Sequence, residues 1–161
     1  MSDVTSSASP SFAHSQVQRV IAAAPALQAA TAAVQAASGL GVPVNIALVD
    51  AAGVLAAFVR MPGAPLHSID IAIDKAYTAA SFGLATGQWH AALATHSPAV
   101  REGIVLRPRF VAFGGGLPMV ESGARIGGIG VSGGSEAQDE TIARAGLRVL
   151  GLEPLAPSTD S

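Results

Sequence analysis

Glycine dominates one short apolar segment of the chain, residues 126–131, which reads Ile-Gly-Gly-Ile-Gly-Val. The isoleucines and the valine predict a β-strand, and glycine inside a strand indicates that a helix or a ligand comes very close to the backbone. The overlapping segment Gly128-Ile-Gly-Val-Ser-Gly133 also matches the dinucleotide-binding fingerprint. That site requires a further strand after the next helix. Only residues 152–161 follow the last predicted helix, so the glycines favour close packing over a dinucleotide site.

Hydrophobic periodicity and turn residues predict the elements around this strand. An alanine-rich helical stretch covers residues 15–38, with a kink at Pro25 or a second helix that has Pro25 in its first turn. Strands at 44–49 and 54–60 are joined by a tight turn with Gly53 at positive φ. Then follow a helix from Ser68 to about Phe82, a short helix at 87–95, a turn of helix at 99–102, strands at 110–113, 117–121 and 126–131, and a helix from Ser135 to about Leu150.

This order of elements predicts an α+β domain with a five-stranded antiparallel sheet. Strand pairs joined by short turns indicate antiparallel pairing, and helices grouped in blocks argue against a doubly wound parallel sheet. Pro118 has no backbone N–H, which places its strand at an edge or at a strand start. We expect a single domain over residues 15–151, with disordered tails at residues 1–14 and 152–161.

Composition excludes several classes of function. The net charge of −2 gives no basis for nucleic-acid binding, and no apolar run reaches the ~18 residues of a membrane span. The absence of cysteine excludes disulfides and thiolate chemistry. Residues 1–14 lack the features of a signal peptide, so we expect a cytoplasmic protein. The low proportion of charged residues favours a surface partly hidden in a homo-oligomer.

The chain has a single lysine, Lys75, which is predicted to lie beside the apolar face of its helix. A lysine that is partly removed from water has a lowered pKa and can act as a base or form a Schiff base. The alternative is that Lys75 extends to solvent or pairs with a carboxylate. The residues alone leave both interpretations open.

Histidine and acidic residues near the start of the same helix are possible metal ligands. His67, Asp70 and Asp74 have the spacing i, i+3, i+7, which could align three ligands. However, His67 precedes the helix, and acids near a helix start are favoured by the helix dipole without any metal. We therefore expect no metal site here.

Side chains that can bind the iron of a haem occur throughout the chain. They are His14, His67, His90, His96, Met61, Met119 and Tyr77. Arg60, Arg107 and Arg109 could pair with the carboxylates of such a cofactor. No motif selects one of these ligands, so the axial ligand stays open.

Two segments of the chain resemble a known family. The first runs from Val49 to Met61 (VDAAGVLAAFVRM) and continues as Ala72-x-x-Lys75-Ala-x-Thr78-Ala. The second comprises Gly115-Gly-Leu-Pro-Met119, Gly123, Ile126-Gly-Gly-Ile-Gly-Val-Ser-Gly133, Gln138-Asp139 and Ala143. Together they resemble the GlcG/HbpS-like haem-binding family, which also supplies the C-terminal domain of PduO-type corrinoid adenosyltransferases. The likeness covers about residues 27–150.

The resemblance implies a three-layer α-β-α domain, with helices on both faces of a five-stranded antiparallel sheet, assembled into homo-oligomers. It also implies that the matching motifs line a shared pocket. With His67 added from the possible iron ligands, the candidate cofactor-binding residues are Arg60, Met61, His67, Lys75, Thr78, Gly115, Gly116 and Pro118. Corrinoid transfer belongs to a different domain of those relatives and is not implied for this chain.

Three functions are compatible with the sequence. The first is binding of haem or a related planar cofactor. The second is an isomerase or hydro-lyase that abstracts a proton from a small oxygenated metabolite, with Lys75 as the base and Arg60 or the helix start at residues 133–135 holding a carboxylate. The third is a sensory or accessory protein that binds a partner protein. For the first two we expect a cleft between the Lys75 helix and the glycine-rich strands.

Overall fold

The computed structural model describes residues 11–154, in which four antiparallel strands form one sheet. The strands are β1 (Asn45–Asp50), β2 (Leu55–Arg60), β3 (Gly116–Glu121) and β4 (Ala124–Ser132), in the order β2-β1-β4-β3. The helices are α1 (Ala23–Leu40), α2 (Ser68–Phe82), α3 (Trp89–Leu93), α4 (Pro98–Ile104) and α5 (Glu136–Arg148). None of the helices in this range is long and apolar enough to cross a membrane. The α+β class is confirmed, while residues 1–10 and 155–161 of the predicted tails lie outside the described range.

The predicted strand at residues 110–113 is wrong, and the sheet has four strands rather than five. A side chain of α2 binds the backbone of this segment instead. The Thr78 hydroxyl accepts a hydrogen bond from Val111 N at 3.1 Å and donates one to the carbonyl of Arg109 at 2.9 Å. Because these backbone groups already have partners, the segment does not need to pair with an edge strand.

The predicted helix over residues 15–22 is also wrong, since α1 begins only at Ala23. The segment before α1 bonds to β4 instead, since Ile21 N donates a hydrogen bond to the carbonyl of Ile126 at 2.9 Å. Pro25 lies in the first turn of α1, where its missing N–H has no helical partner to lose. The first-turn position of Pro25 is therefore confirmed, but as part of one helix.

Local turn and capping signals are confirmed. Gly53 has φ of 80° in the turn between β1 and β2. Ser135 and Gln138 form the predicted capping box at the start of α5. Pro118 lies in β3, which is an edge strand of the sheet.

Helices cover both faces of the sheet, but the helices on one face lie closer to the sheet than those on the other. Ile46 and Leu48 of β1 belong to a large cluster with α1 and α5. The alternate residues Ala47 and Val49 face α2, whose buried contact residues are small: Ala72, Ala76 and Ala80. A layer of branched side chains thus separates the sheet from α1 and α5, whereas α2 lies close to the sheet.

Glycines of β4 make this close approach possible. A Cβ at Gly130 would lie 2.5 Å from Ala76 N and still closer to the carbonyl oxygen of Ala72. A Cβ at Gly128 would lie 2.9 Å from Ala80 N. The close packing predicted for the glycine-rich strand is confirmed, and α2 is the element that approaches. The expected cleft between α2 and these glycines is absent because the helix fills that space.

Candidate functional site

Lys75 is buried inside the protein, where it links α2 to β4 and α5. Its side chain is 1% exposed, and Nζ donates to the carbonyl of Val131 at 2.8 Å and to Asp139 Oδ2 at 3.0 Å. The other carboxylate oxygen of Asp139 accepts a hydrogen bond from Gly134 N at 2.9 Å. Pairing of Lys75 with a carboxylate is therefore confirmed, and extension to solvent is wrong.

Burial lowers the pKa of Lys75 below its usual value of 10.5 because the charged ammonium is removed from water. The charge and hydrogen bond of Asp139 oppose this shift, as does the charge of Glu136. The ring of Phe113 lies over the ammonium with its centroid 5.0 Å from Nζ, in cation–π range. Lys75 is thus a buried cation that is paired with Asp139 and has no direct exposure to solvent.

Consecutive glycines form the wall beside this lysine. A Cβ at Gly115 would lie 2.8 Å from Lys75 Nζ, and one at Gly116 would lie 2.6 Å from the Lys75 carbonyl oxygen. Thr78, one turn further along α2, binds the backbone that leads into these glycines. The structure therefore brings together four of the candidate residues: Lys75, Thr78, Gly115 and Gly116.

The other candidate residues lie elsewhere in the chain. Arg60 is exposed and donates to the carbonyl of Ala64 at 2.7 Å. Met61 packs against the cluster on the α1 and α5 side of the sheet. His67 is exposed just before α2, and Pro118 is buried in β3 opposite Gly128. A single chain does not assemble these residues into one site with Lys75.

The possible metal ligands are not gathered either. Within residues 11–154 no three His, Asp or Glu side chains come close enough to hold a metal ion. Asp74 instead accepts a hydrogen bond from Arg109 Nε at 2.9 Å. The start of α5 is also occupied by its own side chains, since Asp139 binds Gly134 N and Gln138 binds Ser135 N. These two N–H groups are therefore not free to hold a substrate carboxylate.

A second group of side chains surrounds Tyr77 on the outer side of α2. The guanidinium carbon of Arg109 lies 3.6 Å from the centre of the Tyr77 ring. Arg109 has a left-handed backbone, with φ of 65°, which is uncommon for a residue other than glycine. Thr78 stabilises this conformation by binding the carbonyl of Arg109 and the N–H of Val111.

Two cavities meet at Tyr77. The first, here called the aromatic cavity, has a volume of ≈ 180 Å³, and its walls include Tyr77, Thr78, Phe82, Phe110, Arg107 and Arg109. The second, the turn cavity, has a volume of ≈ 200 Å³, and its walls include Gly53, Tyr77, Ser81 and Arg125. Arg107 and Arg125 form no ion pair with any residue between 11 and 154. Both cavities therefore combine apolar or small residues with free positive charge.

Some residues of these sites were missed from sequence. Asp139 was part of the second motif, and its position at the start of a helix after a glycine-rich strand, in a chain with one lysine, was a usable signal. Arg109 was considered only as a partner for a carboxylate. Its stacking on Tyr77 depends on a backbone conformation that the sequence does not indicate.

These features define an α+β domain in which one helix rests on the glycines of an antiparallel sheet and a buried Lys–Asp pair joins it to the last helix. The chain belongs to the HbpS-like family. The family model described as haem degrading protein HbpS-like matches residues 21–148. The resemblance recognised from the sequence is thus confirmed.

Individual relatives agree with this assignment. The chain is 36% identical over 125 residues to the corrinoid adenosyltransferase PduO of Citrobacter freundii, covering 78% of this chain and 37% of that protein. It therefore spans little more than a third of that relative. A double mutant of HbpS from Streptomyces reticuli has a TM-score of 0.78 and 34% identity, covering 89% of this chain and 96% of the other. The PduOC–haem complex has a TM-score of 0.73 and 36% identity, covering 80% and 94%.

Proposed function

We propose that this protein binds haem or a related planar tetrapyrrole. The observation that carries the proposal is the likeness to the PduOC–haem complex, within a family whose description names haem degradation. The corrinoid transferase activity of the longer relatives is not part of this proposal, since the chain covers only 37% of PduO.

The aromatic cavity and the turn cavity fit the chemistry of such a ligand. Phe82, Phe110 and Trp89 form an aromatic cluster, with ring centroids 4.8 to 6.0 Å apart, and two of them line the aromatic cavity. Such rings suit a flat apolar macrocycle. Arg107 and Arg125 offer guanidinium groups to its carboxylates. Of the candidate cofactor-binding residues, Thr78 lines the aromatic cavity.

The small volumes of the aromatic cavity and the turn cavity favour a site that is completed by a second copy of the chain. Volumes of ≈ 180 and ≈ 200 Å³ are below the ~300–1,000 Å³ that is typical of ligand pockets. Phe82 at the rim of the aromatic cavity is 50% exposed, and Leu106, which directly precedes Arg107, is 81% exposed. Apolar side chains of this kind are suited to an interface, in line with the homo-oligomer that the resemblance implies.

Titration of the purified protein with hemin tests the proposal. We expect saturable binding with a shift of the Soret band. The double variant Arg107→Glu/Arg125→Glu should weaken hemin binding by about tenfold or more, because charge-assisted contacts to the carboxylates are lost. The matched control is Arg148→Glu, which reverses an exposed arginine on α5. Absence of a Soret shift and of saturation in the wild-type protein would refute haem binding.

A second candidate function is an isomerase or hydro-lyase that uses Lys75 for proton abstraction. The observation that favours it is the lowered pKa of a buried lysine beside Asp139. Substrate access to Nζ would require the Phe113 ring, which is 43% exposed, to move away. Lys75 and the glycine wall would then border the reacting carbon.

Hydrogen–deuterium exchange tests this candidate without a known substrate. A panel of small hydroxyketones and hydroxyacids is incubated with the protein in D₂O, and loss of the α-proton signal is followed by NMR. Enzyme-dependent exchange that falls at least tenfold in Asp139→Asn supports it. A folded wild-type protein that catalyses no exchange across the panel argues against it. If hemin binding is also absent, the third interpretation, an accessory protein that binds a partner, gains support.

A further inference from the structure

We propose that Tyr77 is the axial ligand of the haem iron, an assignment that rests on the proposed haem function. The possible iron ligands differ sharply in position. Met119 is fully buried in the core on the α1 and α5 side, and Met61 packs against the same cluster. The four histidines are exposed, and within one chain they line neither the aromatic cavity nor the turn cavity; the histidine variants below test whether a second copy supplies one. Tyr77 lines both cavities.

The ring of Tyr77 is held on two sides. A Cβ at Gly53 would lie 2.6 Å from Tyr77 Cε2, so the turn between β1 and β2 touches the ring directly. The Asp50 carboxylate fixes that turn by accepting hydrogen bonds from Ala52 N at 2.8 Å and Val54 N at 3.0 Å. Arg109 stacks on the ring at 3.6 Å and is itself tied to Asp74. Tyr77 is thus positioned before any ligand arrives.

The phenol oxygen is available for a bond to a metal. Within residues 11–154 the phenol oxygen has no hydrogen-bond partner, and it is not one of the buried polar atoms that lack a partner. A tyrosine whose ring is fixed at the junction of two cavities is therefore placed to act as a ligand.

Arg109 fixes the orientation of the proposed ligand by stacking on its ring. Tyrosine binds haem iron through its oxygen, as in catalase. Tyr77 would hold a ferric haem through this oxygen, after its phenol proton is lost to water, and no electron would be transferred. The guanidinium of Arg109, which is paired with Asp74, stacks on the ring and fixes its orientation. Arg109 is therefore a positioning residue for Tyr77 as well as a positive charge beside the cavity.

Absorption and electron paramagnetic resonance spectra of the hemin complex test the assignment. We expect the wild-type complex to show a phenolate-to-iron charge-transfer band and a high-spin ferric signal. Tyr77→Phe keeps the ring between Gly53 and Arg109 but removes the oxygen. It should lose that band and bind hemin at least tenfold more weakly. Tyr77→His should restore binding with a histidine-type spectrum. The matched controls His90→Ala and His96→Ala should leave both spectra unchanged.

The outcomes separate the ligand assignment from the proposed function. If the wild-type protein does not bind hemin, the proposed function fails and the assignment with it. If the wild-type protein binds hemin and Tyr77→Phe binds with the same affinity and spectrum, haem binding stands and Tyr77 is not the ligand. If either histidine variant loses the wild-type spectrum instead, that histidine replaces Tyr77 in the assignment.

Discussion

The ammonium nitrogen of Lys75 lies 3.0 Å from Asp139 Oδ2, and both side chains are almost completely buried. The two residues are 64 positions apart in the sequence, in the two separate motifs that identify the family. Neither charge could be buried alone without a large desolvation penalty. The occurrence of the two motifs in one chain therefore has a physical basis, since each supplies the partner of the other.

Replacement of Lys75 by methionine should destabilise the protein by about 3–5 kcal/mol, because Asp139 is left as a buried charge without its cation. The measurement is the free energy of unfolding from urea denaturation. As a control, Arg148→Met removes the exposed pair with Glu153 and should cause a much smaller change. Equal small changes in the two variants would show that the buried pair does not stabilise the fold.

The ionisation of Lys75 should depend on pH in a predictable direction. As the only lysine, it gives one side-chain signal after labelling of lysine at the ε-carbon, and this signal should titrate below 10.5. Between the lowered pKa and 10.5 the unfolded chain binds a proton that the folded chain does not. The contribution of Lys75 to stability therefore rises with pH across that interval and is least favourable below it. A titration midpoint at or above 10.5 would contradict the proposed effect of burial.

Gly130→Ala should prevent normal packing of α2. The new Cβ would lie 2.5 Å from Ala76 N, and backbone atoms cannot rotate away as a side chain can. We expect a loss of at least ~3 kcal/mol, measured as a lower denaturation midpoint. Gly103→Ala is the control, because Gly103 lies in α4 with nothing within 4 Å of a new Cβ. That change should be neutral or stabilising by up to ~1 kcal/mol. Equal stability of the two variants would contradict direct packing of α2 on β4.

Gly53→Ala should disturb Tyr77 in addition to straining the turn. Gly53 and Gly123 have φ of 80° and 76°, so alanine at either position carries a similar backbone cost of ~1–2 kcal/mol. Only Gly53 has the Tyr77 ring against its vacant side-chain position, whereas Gly123 has nothing within 4 Å. We expect Gly53→Ala to change the near-ultraviolet circular dichroism of Tyr77 and to weaken hemin binding, and Gly123→Ala to do neither. An unchanged Tyr77 signal in Gly53→Ala would show that the turn does not position the ring.

Much of the fold could be predicted because local chemistry determines it. The Gly53 turn, the Ser135 capping box and the edge position of Pro118 each depend on a few adjacent residues. The wrong predictions fail because of contacts between residues that are far apart in the sequence. Residues 110–113 have the apolar composition of a strand, but Thr78, 33 positions away from Val111, binds their backbone. In the same way, Ile21 bonds to Ile126 rather than continuing a helix.

The candidate sites were predictable to a smaller extent. The position of a single lysine beside an apolar helix face drew attention to Lys75, but the residues alone left open whether its side chain is buried. Its partner Asp139 lies in α5, which follows all four strands in the sequence. The aromatic cavity at Tyr77 depends on the left-handed conformation of Arg109, which no local sequence rule requires. Sequence reasoning therefore located the lysine and missed the environment of the tyrosine.

Direct contact between α2 and the glycines of β4 has a consequence for recognition. A helix that lies on side chains can shift when those side chains change rotamer, but α2 lies on backbone atoms and has no such freedom. The backbone that carries Tyr77 is therefore held in place by the sheet itself. A ligand that docked at Tyr77 would meet a rigid backbone, so its selectivity would depend on shape at first encounter rather than on later adaptation.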